Sequence, residues 1–359
     1  MKSREIIKTL LNKDCPDRVG LNESFWPHLY ENAWADQGMK KGEDLTERFG
    51  LDMTCAGWYN LPEPRPDLNL VIEENDEWIV KQNGWGSKLK TWKNKAGTPE
   101  HVGFYIDDPD IWKNEFRDAV LSIDVKKVLD PARKENYKKA MQSDKFVTNA
   151  NLFVFELLRL VLGDQFMLES LLLEPEFIHD FNTIITDKTI EMYETIFSEI
   201  GLPDGMHVYE DLAYTAAAFA SPNCHKEMVF PYHKRFYQFL KDHNLPIIMH
   251  TCGDFRIHID SIVESGVDCI QAMEAKTGMN VVELAKDYKD KLCFMGNLNI
   301  MEFETGDRKK IEAEVLGKLN GMKVLKAPYV FMSDHSIPPT VKLDDYEFAL
   351  DLYHKNCMY

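Results

Sequence analysis

From residue 109 onward the chain alternates short apolar runs with longer amphipathic segments. Helical periodicity predicts helices over Asp110–Asp118, Asp130–Ser143, Val154–Leu162 and Glu174–Glu199, with a short strand at Phe146–Asn149 among them. Strand and helix then take turns. His207–Glu210 precedes a helix over about 226–243, Pro246–Met249 precedes Ile257–Ser265, and Val267–Met273 precedes Val281–Tyr288. Leu292–Met295 leads to Arg308–Leu319, and Tyr329–Met332 to Leu343–Lys355. Apolar runs of strand length between helices predict a parallel sheet covered on its faces. So many consecutive units favour an α/β fold of the (β/α)8 TIM-barrel type. An open doubly wound sheet is the alternative, but no G-x-G-x-x-G follows the first strand.

The N-terminal part reads differently. Ile6, Ile7, Leu10 and Leu11 form one face of an amphipathic helix. Residues from about 51 to 105 are rich in aromatics, prolines and glycines. Within them Leu70–Glu74, Trp78–Gln82 and Lys88–Asn94, separated by N-D and N-G-W-G, predict an antiparallel meander. That stretch is expected to be a small β-rich elaboration on the barrel. With no internal repeat or low-complexity segment, residues 1–359 read as one domain.

Charge narrows the partners. A formal net charge of −17 argues against nucleic acid and against an anionic membrane surface, both of which need clustered cations. No apolar run approaches the ~20 residues that cross a bilayer, and the N-terminus lacks a signal peptide's apolar region and cleavage site. Seven cysteines, an odd number without framework spacing, fit reduced thiols in a cytoplasm. The oligomeric state stays open, a homodimer being one option.

In a barrel the chemistry sits at the C-terminal ends of the strands. Those ends carry Glu210-Asp211, His250-Thr251-Cys252, Glu274, Asn297 and Ser333-Asp334-His335. His250 and Cys252 are two residues apart, so on an extended chain both leave the same face. An imidazole beside a thiol suits zinc. Further ligands are expected from His335, Asp334, Glu274 or Glu210, with His335 favoured because Asp334 can orient it. His335 as a general acid or hydrogen-bond donor is the equal alternative. Cys269 and Cys293 fall low on their strands and read as core, while Cys15, Cys55, Cys224 and Cys357 belong to loops or termini, Cys224 alone near the rim.

Four features together resemble one family: D-R-V near the start, H-x-C-G at 250–253, G-N-L-N at 296–299 and D-H-S-I-P-P at 334–339. They look like the uroporphyrinogen decarboxylase superfamily, and the resemblance runs from about Asp17 to Tyr353. The superfamily includes the haem-pathway decarboxylase and the cobalamin-dependent methyltransferases of anaerobes on a TIM-type barrel. The H-x-C-G motif resembles the zinc motif of the methyltransferase branch. There the third ligand is typically a cysteine in G-C-G; here the matching position is His335, where the decarboxylase branch also carries histidine. The decarboxylase's Arg-rich N-terminal signature has no equivalent, since Arg18 is followed by V-G-L-N-E-S-F-W.

The resemblance implies a methyltransferase of corrinoid-dependent one-carbon metabolism. Zinc at His250, Cys252 and His335 would assist methyl transfer between a corrinoid and a small-molecule heteroatom, the corrinoid being carried by a partner protein or bound as substrate. Glu210, Glu274 and His335 would act in catalysis, and Asp211, Asn297 and Asp334 would bind substrate. The alternatives are a decarboxylase-like carboxy-lyase without metal and a non-catalytic barrel that only binds.

Overall fold

The computed structural model describes residues 1–26, 29, 33–40, 42–94 and 97–359. Strands β1 (Gly20–Leu21) and β2 (Met53–Trp58) precede a four-stranded antiparallel sheet of β3 (Leu70–Glu74), β4 (Trp78–Gln82), β5 (Lys88–Trp92) and β6 (Glu100–Gly103). Then come β7 (Phe146–Leu152), β8 (Gly205–Tyr209), a small hairpin β9 (Ala213–Tyr214) and β10 (Ala217–Ala218), β11 (Ile247–Thr251), β12 (Cys269–Ala272), β13 (Cys293–Gly296) and β14 (Tyr329–Phe331). Eight of these form one sheet in the order β1-β14-β13-β12-β11-β8-β7-β2, every neighbouring pair parallel. Helices connect them, giving the (β/α)8 barrel that the alternating pattern predicts.

The two ends of that sheet meet at Asp52. Its backbone N–H donates to the Leu21 carbonyl at 2.7 Å, and its carboxylate accepts the Leu21 N–H at 2.8 Å. Arg18 Nη1 and Nη2 grip the two carboxylate oxygens at 2.7 Å each, and Nη1 also donates to Tyr353 Oη at 2.9 Å. Arg18, the arginine of the D-R-V motif, therefore closes the barrel seam.

Inward residues stack in layers, as the pleat requires. The lower layer joins Phe146, Ile248, Cys269, Cys293 and Val330 to Met53 and Met295. Helix α1 (Ser3–Leu11) plugs that end with Ile6, Ile7, Leu10 and Leu11, the four residues its periodicity selects. Cys269 and Cys293 are core, as their depth on the strands predicts. With the bottom filled, the polar residues Thr148, His207 and Gln271 line the cavity at the other end.

Three readings need correction. Met53–Trp58 is the second barrel strand rather than part of the elaboration. Only Met53 and Ala56 of its six residues are buried, and its glycine and tryptophan read as loop in the sequence. Cys55 accordingly belongs to a strand, not a loop. A helix at Asp164–Leu173 has no counterpart in the sequence reading, because its apolar residues cluster without a stripe. The expected meander is present and gains a fourth strand, β6; residues 95 and 96 before it lie outside the described residues. No helix among the described residues is long and apolar enough to cross a membrane.

Candidate metal centre and its cavity

A cavity of about 510 Å³ opens at the C-terminal ends of the strands, lined by residues of β2, β7, β8, β11 and β12 and by the segments after β1 and β14. Asp211, His250 and Cys252 stand in it with one ligand atom each, all within 4.8 Å of one another. Cys252 Sγ is 3.3 Å from His250 Nε2, and Asp211 Oδ1 is 3.5 Å from that same nitrogen. Asp211 Oδ1 also accepts the Cys252 N–H at 2.8 Å, which fixes carboxylate and thiol together.

The strand geometry builds this cluster. His250 is inward-facing on β11 and pairs in register with Tyr209 and Gln271 on its two neighbours. Gln271 Oε1 lies against His250 Nδ1 and 3.2 Å from His207 Nε2. An amide oxygen only accepts, so it fixes the proton on Nδ1 of His250 and leaves the Nε2 lone pair facing the thiol. Burial pushes His207 down to about 3, so it remains neutral beside His250.

After Cys252 the chain turns sharply at Gly253, with φ +74°. A Cβ there would lie 2.3 Å from the Ala213 carbonyl carbon, so only glycine fits. The Gly253 N–H donates to Glu274 Oε2 at 3.2 Å, and Lys276 Nζ is 3.3 Å from Oε1. Burial first, and then the Asp211 and Glu274 carboxylates, push the Cys252 thiol well above its ordinary range. Three groups that can carry negative charge or a lone pair thus converge, with Arg159 Nη1 3.9 Å from Asp211 Oδ2. A divalent ion of borderline softness fits this O, N, S donor set.

The other expected site residues lie elsewhere. Glu210 is fully buried and accepts from Phe155 N–H at 3.2 Å, Glu156 N–H at 2.7 Å and His233 Nε2 at 2.7 Å. It holds the first turn of helix α2 (Val154–Leu162). Asn297, at φ +72°, donates to the Met279 carbonyl at 3.1 Å and accepts the Val281 N–H at 2.8 Å. Asp334 accepts the N–H groups of Ala275 at 2.8 Å and Ile300 at 3.0 Å. These three tie strand ends to loops, and none lines the cavity.

His335 does line the cavity, but it is exposed and stacks on Trp26 with ring centroids 6.0 Å apart. It follows β14, three strands round from β11. At about 4.8 Å per strand it stands across the mouth from His250. Asp211, expected to bind substrate, is the residue that the structure groups with His250 and Cys252, the place for which His335 is the favoured candidate in the sequence.

Several cavity residues escaped the sequence reading, Cys55, Trp58, Gln271 and Glu23 among them. Cys55, rather than Cys224, is the further cysteine at the cavity. Glu23 was hidden in an acidic N-terminal segment. It is buried at the cavity's edge, its Oε1 2.6 Å from Ser333 Oγ and 3.0 Å from Ser24 N, its Oε2 3.2 Å from Ser333 N. Ser333 Oγ also contacts the His335 carbonyl. A hydroxyl has one proton and a carbonyl only accepts. When Ser333 donates to His335, the contact with Glu23 takes its proton from the carboxyl. Burial acts in the same sense, raising Glu23 to about 8.

Comparison with known proteins places the fold. The sequence model of the uroporphyrinogen decarboxylase (URO-D) family matches residues 161–356, more than half of the chain. The chain belongs to the uroporphyrinogen decarboxylase family. Among solved structures it is similar to a methyltransferase from Methanosarcina mazei, with a TM-score of 0.67 and 12% identity, covering 99% of each chain. That match extends the shared fold over the N-terminal part as well. A Xaa-Pro dipeptidase (TM-score 0.26, 11% identity, 50% of this chain and 43% of that one) aligns too loosely to bear on it. So does an A. niger ochratoxinase (TM-score 0.27, 10% identity, 85% and 82%). No curated protein sequence matches the chain.

Proposed function

We propose that the protein is a cytoplasmic methyltransferase of corrinoid-dependent one-carbon metabolism, moving a methyl group between a corrinoid and a heteroatom of a small molecule. The observation that carries this reading is the Asp211–His250–Cys252 cluster in a cavity with no Lys or Arg among its described lining residues. A family decarboxylase would have to hold a substrate bearing several carboxylates, which calls for cations. Arg18, the one arginine its motif offers, is engaged with Asp52 at the seam.

Zinc held by Asp211, His250 and Cys252 would supply Lewis acidity, lowering the pKa of a bound thiol or hydroxyl and stabilising a departing heteroatom. The chain's own residues prepare the place. Gln271 presents Nε2 of His250, the Cys252 N–H holds Asp211, and Glu274 fixes the turn that carries Cys252. The corrinoid would come to the open mouth, on a partner protein or free. Its methyl would meet the substrate above the cluster.

Zinc-loaded protein incubated anaerobically with methylcobalamin and a small thiol or phenol should demethylate the corrinoid, visible as a change in its absorption spectrum. Cys252→Ser should abolish this. A folded, zinc-loaded protein without turnover on any such acceptor would contradict the reading.

A further inference from the structure

A second cavity, of about 240 Å³, shares no lining residue with the one that holds the cluster. It lies where the β-rich elaboration packs on two helices. Helix α2 contributes Leu157, Leu160 and Val161, and helix α3 (Pro175–Ile200) contributes Ile185, Thr189 and Met192. Each set recurs at three- and four-residue steps, so each is one stripe of its helix. Trp85, from the turn between β4 and β5, faces them as a further apolar wall, and Glu63 lines the same space.

Most polar groups around this cavity are satisfied. Asn83 Oδ1 accepts the N–H groups of Trp85 and Ser87 at 3.0 Å each, and Ser87 Oγ donates to the Leu160 carbonyl. Asn60 Oδ1 accepts the Leu152 N–H at 2.9 Å. Two groups are left open. Glu63 accepts from Asn69 Nδ2 at 2.8 Å but forms no ion pair among the described residues. Tyr59 is fully buried, and its hydroxyl has no hydrogen-bond partner among them either.

No lysine or arginine is among the described lining residues. The cations closest in sequence to the lining are engaged, Arg65 Nη2 with Asp67 at 2.6 Å and Lys188 Nζ with Glu191 at 2.7 Å. Arg133 lies over the Tyr59 ring, 5.7 Å from its centroid, and donates to the Val128 carbonyl at 3.0 Å. An apolar space with one carboxylate and no matching cation suits a ligand that brings the cation itself.

We infer that this cavity binds a small primary amine as its ammonium ion, with the apolar body between α2, α3 and Trp85 and the ammonium at Glu63. An apolar cavity of about 150 Å³ already holds a benzene ring, so this one has room for a ring with a short arm. A hydrogen bond between ammonium and carboxylate is roughly twice as strong as one between neutral groups. A carboxylate on the ligand would instead meet Glu63 with nothing to offset the repulsion. The site involves neither metal nor methyl transfer and stands apart from the methyltransferase reading.

Calorimetric titration at neutral pH with 2-phenylethylamine, 3-phenylpropionate and ethylamine tests this. The first should bind at one site per chain, about tenfold or more tighter than either of the others. Glu63→Gln keeps an acceptor for Asn69 but not the charge, and should weaken binding of 2-phenylethylamine about tenfold. Leu157→Trp, which fills the cavity, should remove it. Glu63 is partly exposed, so its variant tests the site even if Leu157→Trp fails to fold. Equal or tighter binding of 3-phenylpropionate would overturn the charge argument, and equal binding of ethylamine the apolar one. No binding of 2-phenylethylamine, or binding unchanged in Glu63→Gln, would overturn the site itself.

Discussion

The side-chain oxygen of Gln271 rests against Nδ1 of His250, and this contact decides which imidazole nitrogen faces Cys252. Partners that orient a metal-binding histidine typically contribute 10- to 100-fold in affinity. Gln271→Leu should therefore weaken zinc binding by about that factor, measured against a competing chelator, with the far-ultraviolet circular dichroism unchanged. Unchanged affinity would mean that His250 is oriented by something else.

Gly253→Ala addresses the turn. The new methyl would press on the Ala213 backbone, and a non-glycine residue at φ +74° is strained besides. A loss of more than about 2 kcal/mol is expected, seen as a lower urea midpoint. A variant as stable as wild type would show that the β9–β10 hairpin shifts without cost.

The Arg18–Asp52 pair separates a structural from a substrate-binding arginine. Asp52 is fully buried, and removing one partner of such a pair costs about 3–5 kcal/mol. Arg18→Ala should thus act on stability first. A variant with wild-type melting behaviour and a raised KM would place Arg18 in the substrate site instead.

Much of this was legible in the chain and some was not, for physical reasons. Apolar runs between helices reveal parallel strands wherever both faces are covered, as at Ile247–Thr251 and Cys269–Ala272. Met53–Trp58 escaped because its inward face lines a cavity, so its pattern lacks the continuous apolar run. With it went Cys55 and Trp58. His250 and Cys252 were readable because two residues apart on a strand means one face. Asp211 was seen, but carboxylates are common at strand ends and nothing local distinguishes a ligand. Glu210 and Asp334 mislead for the same reason: a carboxylate at a strand end serves equally well to hold the N–H groups of the next helix or loop. That choice depends on which element packs above it.

Glu23 yields a pH prediction. Its carboxyl is raised from an ordinary value of 4.5 to about 8 in the folded protein, chiefly by burial. The folded state keeps this proton where the unfolded chain has lost it. Its stabilising contribution is complete below about pH 4.5 and is lost as pH rises through about 8. Glu23→Gln, which cannot ionise, should gain on wild type by a few kcal/mol across that window and level off above it. A difference independent of pH would show that Glu23 is ionised throughout.

The central claim is that Asp211, His250 and Cys252 hold a metal and that His335 does not. Zinc content of purified, reduced protein tests it most directly. Wild type and His335→Ala should each carry about one zinc per chain, and Asp211→Ala, His250→Ala and Cys252→Ser should each fall below about half of that with the fold intact. Wild-type protein that stays metal-free after zinc is added would contradict the account, and so would a loss of zinc in His335→Ala.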